Sequence, residues 1–132
     1  DDEEINMGGF LRARKLYASN VAYRLIHEVL PDLQMDSILE AGKLAWDYRY
    51  HMGSIRNCSF THPEVNEISN KLNQLYEENE IKFLSMSSVG PGFFAVLDPK
   101  HTQKYKDKFE KIGLECIITK PYNGKYKIIN LK

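Results

Sequence analysis

The sequence predicts an α+β domain in which helices cover an antiparallel sheet of four strands. Three observations carry this reading. Apolar residues recur at helical spacing from Phe10 to Leu75, and again after Asp98-Pro99. Two short apolar runs, one holding Ile81, Phe83 and Leu84 and the other Phe93 to Leu97, flank a glycine- and proline-rich turn. Two further β-prone runs, Leu114 to Thr119 and Tyr126 to Ile129, flank Asn123-Gly124, a strong hairpin signal. Hairpin links in place of long crossovers make the sheet antiparallel, with the helices on one face. A length of 132 residues suits a single domain, residues 1–132, with a sizeable core.

Each element has its own warrant. After an acidic lead and the break at Gly8-Gly9, residues 10–30 read as one helix. Phe10, Ala13, Tyr17, Val21, Leu25 and Val29 form its apolar stripe, and Ala22, Ile26 and Leu30 form a second, so more than one face should be covered. Pro31 should stop it. Arg12, Arg14, Lys15 and Arg24 read as a solvated face. A second helix, capped by Asp36 or Ser37, carries Ile38, Leu39, Ala45 and Trp46 to about Met52. Trp46 reads as a core anchor, although Trp46, Tyr48, Tyr50 and His51 together also suit an aromatic binding surface. Gly42 costs this helix about 1 kcal/mol relative to alanine, which close packing against a neighbouring backbone would explain.

Residues 53–61 read as a polar connection, with Arg56 and Asn57 its most chemically useful members. Thr61 and Glu64 match a capping box for a third helix, whose stripe is Val65, Ile68, Leu72 and Leu75. Glu77, Glu78 and Glu80 should fray its C-terminal end, where carboxylates oppose the dipole. The fourth helix starts at a cap on Asp98, turns Tyr105, Phe109 and Ile112 inward, and closes at Gly113.

The candidate site is the turn between the first two strands, Ser85-Met86-Ser87-Ser88-Val89-Gly90-Pro91-Gly92. Gly90 and Gly92 can adopt positive φ and admit a ligand close to the backbone, and Pro91 stiffens the loop. Ser87 and Ser88 add hydroxyls beside free amides, a composition that suits an anion. The same residues also serve a loop that merely turns the chain.

Composition excludes several classes. Eighteen basic and eighteen acidic residues give a formal charge of zero. No basic stripe with interleaved aromatics points to nucleic acid, and no apolar stretch approaches the length of a membrane span. Two cysteines, Cys58 and Cys116, fit free thiols in a reducing cytoplasm. Asp1-Asp2-Glu3-Glu4 is the opposite of a secretion leader, and the missing initiator methionine points to a longer gene product. His51, Cys58 and His62 fall short of a zinc ligand set, Cys58 with His62 is a weak nucleophilic pair, and Cys116 reads as a small core residue. No Walker A, G-x-G-x-x-G or G-x-S-x-G pattern occurs.

The order of elements, with the run from Ser87 to Val96 between the first strands, resembles the C-terminal domain of the GHMP kinase superfamily. That run resembles the superfamily's third glycine-rich motif. Met86-Ser87-Ser88-x-Gly90-Pro91, His27-Glu28-Val29-Leu30-Pro31 and His62-Pro63 are most similar to the archaeal β-ribofuranosylaminobenzene 5′-phosphate synthase group. The likeness spans residues 20–97. It implies a ferredoxin-like sheet and a missing N-terminal domain as partner. In the synthase group the reaction joins phosphoribosyl diphosphate to an aminobenzoate-type acceptor with loss of pyrophosphate and carbon dioxide, in methanopterin biosynthesis. In the kinase relatives ATP phosphorylates a small-molecule alcohol. ATP or phosphoribosyl diphosphate, with Mg, would belong to the full-length enzyme, and this domain would hold no cofactor or metal of its own.

By the same resemblance Ser87, Ser88, Gly90, Pro91 and Gly92 would face a phosphorylated substrate, while the catalytic residues would lie in the other domain. Ser85 and Gly92 depart from the pattern, standing where relatives commonly have glycine and, in the synthase group, threonine. These 132 residues alone should not turn over. The reading leaves a homodimer open, and a non-catalytic ligand-binding or dimerisation module on the same α+β layer is the competing class.

Overall fold

The computed structural model describes residues 15–130, the Asn57 side chain excepted. The expected start of the first helix, with Phe10, Arg12, Ala13 and Arg14, lies outside the described residues. Helix α1 covers residues 15–34 and does not stop at Pro31. A π-turn at Leu25–Val29, in which the Leu30 amide donates to the Leu25 carbonyl, precedes an α-helical turn over Leu30–Gln34. The wider turn shifts the hydrogen-bond register just where the proline has no amide to give, so the helix passes through it. Val29 is buried, but Ile26 and Leu30 are exposed, so the second stripe is not covered among the described residues. Arg24 is no solvated charge: its guanidinium meets Glu28 at 3.2 Å and Asp47 of the next helix at 2.8 Å.

Helix α2 comprises Leu39–Trp46 and a π-turn at Asp47–His51. Its first turn is capped by Ser37, whose hydroxyl accepts from the Leu39 amide, and by Asp32, which accepts from the Glu40 amide at 2.9 Å. Asp36 instead takes positive φ. Residues expected to form a loop are a 3-10 helix, Ser54–Phe60, entered through left-handed Gly53. Helix α3, Glu64–Tyr76, has no side-chain cap, because the Thr61 hydroxyl donates to the Cys58 carbonyl. The expected capping box does not form. Its C-terminal end is tied down rather than frayed: Glu78 accepts from Tyr105 and Lys108, and Glu80 from Lys104.

Strands β1, Ile81–Met86, and β2, Phe93–Leu97, pair antiparallel with Met86 opposite Phe93. Helix α4, Pro99–Lys111, closes at Gly113, which takes φ 97°. The Asp98 carboxylate meets Lys82 at 2.7 Å instead of capping α4. Helices and hairpin enclose a core of Trp46, Leu72, Ile81, Leu84 and Tyr105. Trp46 is fully buried, stacks on Tyr50 at 5.4 Å, and donates its indole N–H to Asn73.

The fold is α+β, but the four-stranded ferredoxin-like sheet is not what forms. The described sheet has two strands. Residues 114–130 carry no ladder, and residues 117–130 are all exposed, Ile117 at 92% and Ile128 at 82%. Their β-branched composition is only a fit to a half-buried pleated surface, and no third strand offers that surface. Leu114 alone of the run packs on the core, at the end of α4. Cys116 is half-buried in this irregular stretch. At Asn123-Gly124 a local bond from the Tyr122 hydroxyl to the Lys125 carbonyl holds the bend, without strands on either side.

Tyr105 gives this core a pH signature. Burial first, and then the Glu78 and Glu80 carboxylates beside it, hold its phenol pKa well above the ordinary value. A folded-state pKa above the unfolded one leaves stability intact below about pH 10 and erodes it as pH rises further. Tyr105→Phe should flatten that alkaline decline while lowering stability at pH 7 by roughly 1 kcal/mol, the worth of a hydrogen bond. Urea melts from pH 7 to 11 would show it. An unchanged alkaline slope would assign the decline to other groups.

Candidate functional site

The loop of the β-hairpin is built from both ends. Ser87 N–H donates to the Gly92 carbonyl and Gly90 N–H to the Ser87 carbonyl, each at 2.8 Å. Two of the amides that an anion would use are therefore spent on the loop itself. The amides of Ser88 and Val89 lie outside these backbone bonds, and the side chains of Ser87 and Ser88 are exposed. Ser88 takes φ 48°, and the Gly90-Pro91 peptide is cis. Gly90 has φ 93°, as expected of a glycine here. Gly92 does not take positive φ, so its expected conformational role is absent.

A second, smaller core lies under the loop. Ile55, Cys58, Val65 and Met86 are buried together, with Phe93 against them. A Cβ on Gly90 would sit 2.6 Å from the Met86 sulfur and 2.7 Å from that of Cys58, so the loop backbone rests on two sulfur atoms. Arg49, from the π-turn of α2, donates to the Ser88 carbonyl at 2.8 Å. Burial lowers its guanidinium pKa from the ordinary value. Sequence reasoning did not single out Arg49 for the site. Its position in a helix gives no sign of a carbonyl 39 residues downstream.

The other candidates behave differently. Cys58 is 2% exposed, and burial, helped by Glu64, pushes its thiol above the ordinary range, opposite to what a nucleophile needs. His62 pairs with Glu64 at 3.5 Å, and only its backbone amide reaches Cys58, at the carbonyl. Cys58 and Cys116 are not joined in a disulfide. Among the described residues no group of three histidine, cysteine or acidic side chains is placed to hold a metal. Nor is any helix among them long and apolar enough to cross a membrane. Of the aromatic cluster, Trp46 is core, while Tyr50 and His51 line a separate pocket with Arg56. The Asn57 side chain lies outside the described residues.

Neither a family model, nor a curated protein, nor a solved structure matches this chain.

Proposed function

We propose that this chain is the substrate-binding, C-terminal half of a cytoplasmic two-domain transferase of GHMP type. By the resemblance of its loop it is placed with the β-ribofuranosylaminobenzene 5′-phosphate synthases. Ser87, Ser88, Gly90, Pro91 and Gly92 hold a phosphate-bearing substrate, and the companion domain carries most of the chemistry. The observation that supports this is the hairpin loop itself. It exposes two serine hydroxyls and leaves the Ser88 and Val89 amides outside its own backbone bonds, on a backbone seated over Met86 and Cys58, with the Arg49 guanidinium 2.8 Å from the Ser88 carbonyl. Donors and a cation held beside exposed backbone favour an oxyanion. Support comes from these residues and their resemblance, and not from the sheet, which has two strands where the family has four.

The test is an NMR titration of the 132-residue chain with phosphoribosyl diphosphate, ATP and aminobenzoate in turn, each with Mg present. Saturable shifts of the Ser87, Ser88, Gly90 and Gly92 amides with phosphoribosyl diphosphate are the expected result. Shifts with ATP alone would turn the assignment to the small-molecule kinases of the same superfamily. Silence at the loop with all three would leave it a structural turn and favour the non-catalytic module.

A further inference from the structure

A pocket of about 630 Å³ opens between the end of α2, the 3-10 helix and the first half of α3. That volume lies within the range of small-molecule sites. It stands apart from the hairpin loop, none of whose residues line it, and the inference drawn from it is independent of the loop's role.

The lining carries basic and amide donors and no acidic side chain. Arg56 contributes a guanidinium and His51 an imidazole. Arg56 forms no ion pair among the described residues, although basic side chains of every helix pair with acids. Its place is set by Gly53: a Cβ there would lie 3.3 Å from the Arg56 Nε, so the missing side chain lets the guanidinium stem lie over the turn. On α3, Asn66 and Asn70 fall one turn apart on the same wall. The Tyr50 hydroxyl donates to Asn70 Oδ1 at 2.8 Å, which orients the amide and leaves its N–H groups as donors. Asp47 lies 3.8 Å from the His51 ring but is held at 2.8 Å by Arg24.

Two aromatic rings also line the space. Tyr50 is stacked on Trp46 and so has a fixed ring plane, and Phe60 exposes 74% of its surface at the rim. An exposed phenylalanine facing a donor-lined pocket gives the site two chemistries: a planar surface for a ring, and a cation with amides for an oxyanion.

We propose that this pocket binds a small organic oxyanion carrying a planar ring, the anionic group on Arg56 and the Asn66 and Asn70 amides, the ring against Phe60 and Tyr50. The probes are benzoate and phenyl phosphate, followed by NMR on the 132-residue chain, with acetate and benzyl alcohol as half-ligands. At least one of the two full probes saturates below about 10 mM and shifts the Asn66 and Asn70 side-chain amides. Whichever binds more tightly identifies carboxylate or phosphate as the recognised group. Arg56→Ala weakens binding about tenfold, as loss of a charge-assisted hydrogen bond does. Asn66→Asp, which keeps the shape and adds a carboxylate at an exposed position, weakens it as well, so the result does not hang on one variant. No saturation with either probe, benzyl alcohol binding as tightly as benzoate, or an affinity that both substitutions leave unchanged would each overturn the proposal.

Discussion

Gly42→Ala is expected to destabilise the domain by about 3 kcal/mol or more, at the upper end of overpacking costs. Helix propensity alone predicts the opposite sign, a gain of about 1 kcal/mol for alanine in mid-helix. The structure decides between them. Helix α2 lies against β1 so closely that a Cβ on Gly42 would overlap the Lys82 carbonyl oxygen and lie 3.2 Å from the Phe83 Cα. Both are backbone atoms of a paired strand, with no rotamer by which to move aside. Relief requires the helix to withdraw, which opens the packing around Trp46 one turn further on. Against a total stability of 5–15 kcal/mol, typical of about any small domain, such a loss is large. Urea melts of Gly42→Ala and the parent settle it: a variant as stable as the parent would show that α2 and β1 are not in backbone contact.

Gly90→Ala is expected to cost about 2–4 kcal/mol and to disorder the hairpin loop. Two effects add there. An L-residue at positive φ pays roughly 1–2 kcal/mol, and Gly90 stands at 93°. The new methyl would also press on the sulfur atoms of Met86 and Cys58, each 2% exposed and therefore with little room to yield. Gly92 supplies the control, two residues away. Nothing lies within 4 Å of a Cβ built there, and its φ is not left-handed. Gly92→Ala and Gly92→Thr should both stay within about 0.5 kcal/mol of the parent. Thermal melts with amide spectra of the loop compare them. Equal stability of Gly90→Ala and Gly92→Ala would refute the packing of the loop on the small core.

The contrast between these two glycines marks the limit of sequence reading. Both looked alike in a Gly-Pro-Gly run, and what separates them is which one lies over Met86 and Cys58, the latter more than thirty residues upstream. Gly42 was legible in part: its helical position implied a close neighbour, and the neighbour proved to be β1. Arg49 was beyond reach as a site residue, and although Arg56, Tyr50 and His51 each stand out in the sequence, their convergence on one pocket depends on residues brought together from different elements.

Local chemistry by itself determined the apolar stripe of α3, the inward Tyr105 and Phe109 of α4, the glycine close at residue 113 and the hairpin of β1 and β2. These follow from periodicity and from φ preferences, which act over a few residues. Tertiary structure decided the rest. It carried α1 past Pro31, added Asp32 to Ser37 in capping α2, and sent the carboxylates of Glu78 and Glu80 to α4. It also left residues 114–130 without a ladder despite their strand-like composition. A strand exists only where a neighbour supplies the other half of its hydrogen bonds, and that neighbour is a property of the whole fold, not of the segment.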